Sequence, residues 1–453
     1  MKGVYTVLVS KLLFPLHEAV KGHDTVSVRK GMEDTQWKQA PELEEIRLQG
    51  LRRLLANAYR NVPYYRELFD STGFDCTAVR SLSDLQKLPF LTKSIIRKNT
   101  DALKSDNARG LQRFNTGGSS GEPLIFYIDK ERVSHDVAAK WRATRWWGVD
   151  IGDPEIVIWG SPIELGAQDR VRQVRDKMLR TRLLPAFDMS PERLDQFVGE
   201  IRRVRPKMLF GYPSALSLIA SHAETRGVAM DDLGIRVAFV TSERLYEHQR
   251  NKIQTVFGCP VANGYGGRDA GFIAHECPEG GMHITAEDVI IEIVGTDGNV
   301  LPVGESGEIV VTHLATSGFP FIRYRTGDVG VLTEEKCACG RGLPLLKEIQ
   351  GRTTDFVVAA DGTVLHGLAL IYVLRDLSGV GEFKITQESL EQTRVEIVRG
   401  DGYEPSVAEP LIRQEFGKRL GAGVEVLIEY TDSISSEKSG KFRYVVSKVD
   451  VPQ

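Results

Sequence analysis

The residues with the clearest chemical potential lie in short glycine-rich runs. Thr116-Gly117-Gly118-Ser119-Ser120-Gly121-Glu122-Pro123 is the densest of them. Glycines let backbone N–H groups approach phosphate oxygens and the hydroxyls add donors, so such a loop can wrap a polyphosphate. It is not a P-loop, because Glu122 and Pro123 follow Gly121 where a Lys and a Ser or Thr would be needed. Phosphates bound there would take their neutralising cation from elsewhere in the chain. A plain Gly/Ser turn would read the same way.

A second run, Asn263-Gly264-Tyr265-Gly266-Gly267-Arg268-Asp269, imitates the start of a dinucleotide fingerprint but carries Asp269 at the third glycine position. Tyr265 could stack on a purine, Asn263 could pair with its edge, and Asp269 could hold magnesium. A structural turn with Tyr265 packed inward is the competing reading. Tyr324-Arg325-Thr326-Gly327-Asp328 sets a carboxylate on a tight bend, where it could accept both hydroxyls of a ribose. Gly351-Arg352-Thr353-Thr354-Asp355 and the glycine-flanked Lys441 follow.

The five cysteines are too few and odd in number for a disulfide framework, which argues for a reducing compartment. Cys277 precedes His283 by a five-residue gap, and Cys337-Ala338-Cys339 lies further on. Three thiolates and one imidazole make a closed tetrahedral zinc site with no open position. His275 competes as the fourth ligand, His283 being preferred because His275 is so close to Cys277. By spacing alone, buried reduced cysteines are an equal reading for this set, and Cys76 and Cys259 are packing residues.

These turns need a scaffold. Glu42 to Tyr59 repeats apolar residues at helical intervals, and Ser190-Pro191-Glu192 reads as a helix start with the Ser190 hydroxyl as cap, running to Pro206. Strands are predicted at 156–159, 208–212, 237–241, 289–294, 308–312 and 356–359. The early strands alternate with helices and the later ones are joined by hairpin turns such as Asp297-Gly298 and Asp361-Gly362. From Glu382 onward the order strand, strand, helix (Val407 to Leu420), strand, short strand predicts a separate α+β domain of roughly 100 residues. Trp141, Trp146 and Trp147 near His135, and Tyr212 after a strand end, could wall an apolar pocket, although core packing explains each of them as well.

The whole chain sets the limits. It has 453 residues, enough for two or three domains. Lys plus Arg total 58 against 61 Asp plus Glu, so the net charge of -3 gives no global attraction to nucleic acid or an anionic membrane. Hydrophobic residues at 42% and charged ones at 26% fit a folded protein rather than a disordered or fibrous one. The apolar stretch from Val4 to Leu16 is interrupted by Lys11 and reads as an amphipathic or loosely docked segment, and no uncharged run is long enough to span a bilayer.

Taken in order and spacing, the glycine-rich runs and the terminal lysine resemble the adenylate-forming superfamily of acyl-CoA synthetases, specifically the phenylacetate–CoA ligase and capsular-polysaccharide-type group. The resemblance runs from Asn61-Val62-Pro63-Tyr64-Tyr65 to Lys441. It implies an α/β fold: a large N-terminal α/β domain with a β-rich part over residues 1–354, holding the ATP, acyl and zinc sites, and a small mobile C-terminal α+β lid over 355–453.

It implies that Thr116, Gly117, Gly118, Ser119, Ser120 and Gly121 clasp the ATP phosphates. Ser242, Glu243, Asn263, Gly264, Tyr265 and Gly266 would line the adenine, and Asp328 the ribose. Arg325 and Arg352 would lie near ribose and phosphate, Asp269 would bind magnesium, and Asp355 would be the hinge. Lys441 would carry the catalytic charge to the α-phosphate. Relatives in this group also carry Cys-x5-His and Cys-x-Cys, which implies structural zinc on Cys277, His283, Cys337 and Cys339. Arg268 and Asp269 depart from the family's usual Thr and Glu; an aspartate reaches about one methylene less, yet can still bind magnesium.

The resemblance implies an enzyme using ATP, Mg2+ and CoA to activate a carboxylic acid of aromatic type; Trp147 and Tyr212, among the aromatics above, are candidate pocket residues that do not themselves identify the acid. The expected partners are a small carboxylic acid and CoA or a carrier protein, with no nucleic acid and no membrane insertion; a homodimer and a cytoplasmic location are also expected. A non-CoA acceptor (amine, carrier protein or hydroxyl) and a non-catalytic nucleotide-binding homologue are the competing functions.

Overall fold

The computed structural model describes residues 3–115, 124–159, 170–186, 189–295, 297–351, 356–375, 377–400, 402–432, 434 and 445–449. The glycine loop 116–123, Arg352 to Asp355 with the expected domain boundary, and Lys441 lie outside the described residues.

The frame is one sheet whose strands run in spatial order Val289–Val294, Ser306–His313, Tyr324–Thr333, Leu345–Gly351, Met282–Ile284, Gly271–Glu276, Val261–Gly267, Val237–Thr241, Met208–Gly211, Glu155–Trp159, Thr181–Pro185. Its parallel part is β3 (Glu155–Trp159), β4 (Thr181–Pro185), β5 (Met208–Gly211), β6 (Val237–Thr241) and β7 (Val261–Gly267). Every residue of β5 and β6 is buried, as expected for strands covered by helices on both faces. Helices Pro191–Val204, Pro213–Thr225 and Glu247–Phe257 cover one face through Phe197, Ile201, Leu216, Ile219 and Phe257. Helix Lys130–Trp146 contributes to packing with Phe210 and Phe239 through Ala143, Trp146 and its cap Trp147. Ser190 occupies the N-cap of Pro191–Val204 without making the side-chain capping bond expected of it.

The antiparallel part continues through β8 (Gly271–Glu276) and β9 (Met282–Ile284) to β10 (Val289–Val294), β11 (Ser306–His313), β12 (Tyr324–Thr333) and β13 (Leu345–Gly351). Buried Arg323 pins the start of β12: its Nε and Nη2 each donate to Glu292 at 3.0 Å, and its Nη1 donates to the Leu88 carbonyl at 2.5 Å. A hairpin of β1 (Gln112–Asn115) and β2 (Ile125–Ile128) sets Asn115 opposite Ile125, so the ends of the glycine loop are held side by side.

After the short hairpin β14 (Phe356–Val358) and β15 (Val364–His366), a second sheet is built from β16 (Val380–Gln387), β17 (Gln392–Arg399), β18 (Glu425–Tyr430) and β19 (Val445–Ser447), in order β18-β17-β16-β19. Helix Pro405–Leu420 packs Ile412, Phe416 and Leu420 with Phe383, Ile385, Val395 and Ile397 in a core of their own.

Candidate active site and metal centre

In a parallel sheet the crevice lies beyond the carboxyl ends of the strands, where backbone groups and helix N-termini face outward. Register puts the predicted residues there. Thr241, the last residue of β6, pairs with Gly264 of β7, so Ser242 and Tyr265 lie just beyond the last pair of the parallel ladder. Ser242 is left-handed at φ 71°, an unfavourable conformation for a residue with a Cβ, which marks the turn as constrained. Glu243 accepts a bond from the Ser214 backbone N–H at 3.2 Å, placing a carboxylate at the start of helix Pro213–Thr225. Asn263 is fixed through its backbone, whose N–H donates to Glu276 at 2.7 Å.

Gly266 is sterically required: a Cβ there would come within 2.2 Å of the Gly271 carbonyl oxygen. The β7–β8 ladder shifts register between Tyr265 and Gly266 at this point, and the turn that follows carries Arg268 and Asp269. The two carboxylates of the site are each held by a tyrosine. The Tyr265 hydroxyl donates to Asp328 Oδ2 at 3.0 Å, and the Tyr324 hydroxyl donates to Asp269 Oδ2 at 2.6 Å. Tyr324 and Asp328 both lie on β12, which therefore braces the β7–β8 turn.

Arg325 is engaged by Glu308, its Nε donating to Oε2 at 2.8 Å, and Glu308 also accepts from the Gly327 N–H at 3.1 Å. The carboxylate thus shapes the bend that presents Asp328. Below the turn, buried Arg132 donates to Asp136 at 3.0 Å and to the Asp269 carbonyl at 3.3 Å. His313, also buried, accepts the Ala315 N–H through Nδ1 at 3.2 Å, and burial followed by the charge of Arg132 pushes its pKa well below the usual range.

Tyr212 caps helix Pro213–Thr225 beyond β5, and its ring stacks on Trp159, the last residue of β3, at 4.5 Å between centroids and 19° between planes. Trp159 was not among the sequence candidates for the pocket; its position as the last residue of the predicted strand 156–159 was the available signal. Trp147 is a correction. Gly148, next to it, accepts a bond from Arg236, which immediately precedes β6, so this end of the helix lies at the amino side of the sheet rather than at the crevice. The Trp147 indole N–H donates to the Glu276 carbonyl at 3.0 Å, a packing role beside the cysteine cluster.

That cluster brings Cys277, His283, Cys337 and Cys339 together, with one ligand atom from each lying within 4.8 Å of all the others. The Sγ atoms of Cys277 and Cys337 are 3.5 Å apart, and His283 Nε2 is 3.2 Å from Cys339 Sγ. Edges of a zinc tetrahedron with three sulfurs and one nitrogen are about 3.5–3.8 Å, so the donor set fits zinc in number, kind and size. Burial holds the His283 pKa down to about 4, which keeps the imidazole neutral, and its Nδ1 faces the Leu343 carbonyl at 3.4 Å, leaving Nε2 toward the thiols. Burial also pushes the Cys277 thiol up to about 12. Trp146 packs edge-on against His283 at 5.5 Å. His275 stands apart, stacked on Phe272.

Comparison with known proteins agrees with this architecture. The family described as AMP-binding enzyme matches residues 180–317, and the CapK C-terminal domain matches residues 357–448. Protein CapK of Staphylococcus aureus is 23% identical over 91% of this chain and 91% of its own length. The phenylacetate-coenzyme A ligase of Thermus thermophilus is 28% identical over 70% of this chain and 72% of its own length. These matches make the chain similar to the adenylate-forming superfamily, in its phenylacetate–CoA ligase and CapK group.

Among solved structures, 2-hydroxyisobutyryl-CoA ligase in complex with its acyl-AMP and CoA superposes with a TM-score of 0.65 at 21% identity, covering 91% of each chain. The shared fold therefore extends over nearly the whole molecule.

Proposed function

We propose that this protein is an adenylate-forming enzyme, an ATP-dependent carboxylate ligase that makes an acyl adenylate and passes the acyl group to the thiol of CoA. The observation that carries the reading is the pair of tyrosine-held carboxylates, Asp269 and Asp328, at the carboxyl end of the central strands. Asp328 accepts the ribose hydroxyls, Tyr265 lies against the adenine with Ser242 and Asn263, and loop 116–121 takes the β- and γ-phosphates. A carboxylate oxygen attacks the α-phosphorus, the bond to the β-phosphate oxygen breaks, and pyrophosphate leaves. The CoA sulfur then attacks the acyl carbonyl, losing its proton, and AMP leaves.

Negative charge crowds the α-phosphate in the first step. Lys441, brought by the C-terminal domain, stabilises it, and rotation about Asp355 then removes that lysine and admits the thiol. Arg325 and Arg352 add positive charge near ribose and phosphate. Asp269 is suited to magnesium, which takes one or two carboxylates together with substrate phosphates and would neutralise phosphate charge. Cys277, His283, Cys337 and Cys339 would hold zinc as a closed structural site. The Trp159–Tyr212 stack is the wall that favours an aromatic acid.

The relatives named as phenylacetate-coenzyme A ligases support CoA as acceptor. A second reading is an adenylate-forming ligase with a non-CoA acceptor: the relatives named as CoA ligases span 70% of the chain, while Protein CapK of Staphylococcus aureus, whose name states no acceptor, spans 91%. Acid-dependent ATP–pyrophosphate exchange over aryl, amino-aryl and alkyl acids, first without CoA, tests the proposal. Exchange with an aryl acid, followed by thioester formation when CoA is added, is expected. Exchange without thioester would favour the second reading, and silence in protein that binds ATP would overturn both.

A further inference from the structure

We infer that the N-terminal helical segment is a docking face for an anionic lipid surface. It runs as α-helix Val4–Leu8, a π-helical turn Val9–Leu13, and α-helix Phe14–Lys21. The wider π turn takes up one extra residue, so positions four apart stay nearly in line along the whole segment rather than drifting around it. Two faces result. Thr6, Ser10, Phe14 and Glu18 are buried against the body of the protein. Phe14 meets Trp141 edge-on, Thr6 donates to Asp153, and Glu18 accepts from Thr25.

The opposite positions, Val4, Leu8, Leu12, Leu16 and Val20, are exposed by 89%, 44%, 57%, 60% and 82%. They form an unbroken apolar stripe about 25 Å long at 1.5 Å per residue. Scattered exposed apolar residues are ordinary on a protein surface, but a contiguous stripe along one helix face marks an interaction surface.

The charge around the stripe selects the partner. Between Gly3 and Gly22 the single acidic residue is Glu18, and it is buried; the exposed charged side chains there are Lys11 and Lys21. Lys130 reaches toward Gly22 at one end. At the other end the Tyr5 hydroxyl bonds the Met178 carbonyl and Arg180 lies over the Tyr5 ring, which brings exposed Lys177 and Arg180 alongside. Asp24, just beyond Gly22, is the nearest exposed acid along the chain; an apolar stripe bordered by these cations, with no exposed acid between Gly3 and Gly22, suits lying flat in the headgroup region of an anionic leaflet. The chain as a whole carries a net charge of -3, so the attraction is local to this face. No helix among the described residues is long and apolar enough to cross a membrane, and surface docking needs none. The inference is independent of the ligase reading.

The test is co-sedimentation of the full chain with vesicles of phosphatidylglycerol and phosphatidylcholine, compared with phosphatidylcholine alone. Binding to the anionic vesicles is expected, weakened by high salt and reduced by roughly tenfold or more in a Leu12→Glu, Leu16→Glu double variant. A Lys11→Glu, Lys21→Glu variant, which keeps the apolar stripe, should lose the preference for anionic lipid. Unaltered thermal midpoints establish that the variants are folded. Absence of binding to anionic vesicles, equal binding by both variants, or a dimer that the leucine variant dissolves without any vesicle binding would overturn the inference, the last by assigning the stripe to a second copy of the chain.

Discussion

The hydroxyl of Tyr324 donates to Asp269 at 2.6 Å, joining the first residue of β12 to the turn between β7 and β8. The bond orients the carboxylate proposed for magnesium, while Tyr265 makes the reciprocal bond from β7 to Asp328 on β12. Two strands separated by almost sixty residues of chain are thereby cross-braced at the proposed nucleotide site.

Tyr324→Phe removes the donor without changing the packed ring. The magnesium concentration for half-maximal pyrophosphate exchange should rise by about tenfold, the usual effect of losing a hydrogen bond to a metal-binding side chain. A magnesium titration of the variant giving the parent value would detach Tyr324 from this role.

If Asp328 reads the ribose, the parent should use 2′-deoxy-ATP about 10- to 100-fold less efficiently than ATP, the range for losing hydrogen bonds to a charged group. Asp328→Ala should raise the KM for ATP and erase that discrimination. Retained discrimination in the variant would assign the ribose to another residue.

Lys441→Ala is expected to slow adenylation by on the order of 10²-fold or more while leaving thiolation of preformed adenylate much less affected, as for a lost electrostatic contact. Equal losses in the two half-reactions, measured separately, would exclude this division of labour.

Cys337→Ser should lower zinc content, measured by elemental analysis, and thermal stability together, with Tm falling by about 5 °C or more. Absence of zinc from the purified parent protein would dispose of the site.

His313 gives a pH prediction. Its Nδ1 accepts a backbone N–H, so protonation would break that bond inside a buried site beside Arg132. The folded-state pKa is depressed, while the unfolded chain takes up the proton below about 6.5. Stability should therefore fall as pH drops below about 6.5, with this group contributing a slope of up to ~1.4 kcal/mol per pH unit. His135 works in the opposite sense: despite burial, Asp288, 2.5 Å away, raises its pKa. Comparing parent with His313→Gln cancels that contribution. Urea midpoints at pH 5 and pH 7 should differ less in the variant, and equal shifts would refute the assignment.

Much of the scaffold was legible because the relevant signals are local. Helix Pro191–Val204 follows from its proline start and 3.6-residue apolar repeat, and β6 from a short run of apolar and β-branched residues. Trp147 was misread because a helix pattern states which residues share a face but not which end of the sheet that face reaches. The cysteine cluster was a spacing hypothesis until β8, β9 and the 337–341 turn converged on it.

By itself the sequence determined the glycines, hydroxyls, carboxylates and thiols available for chemistry, their order along the chain and the period of each element. These are properties of near neighbours, set by steric limits on the backbone and by the alternation of apolar residues. Tertiary structure alone decided that Tyr324 holds Asp269, that Glu308 engages Arg325, that Trp159 meets Tyr212, and that a π turn keeps Val4 through Val20 on one exposed face. Such pairings depend on sheet register and on desolvation by distant segments, and no local pattern encodes which remote side chain will satisfy a buried polar group.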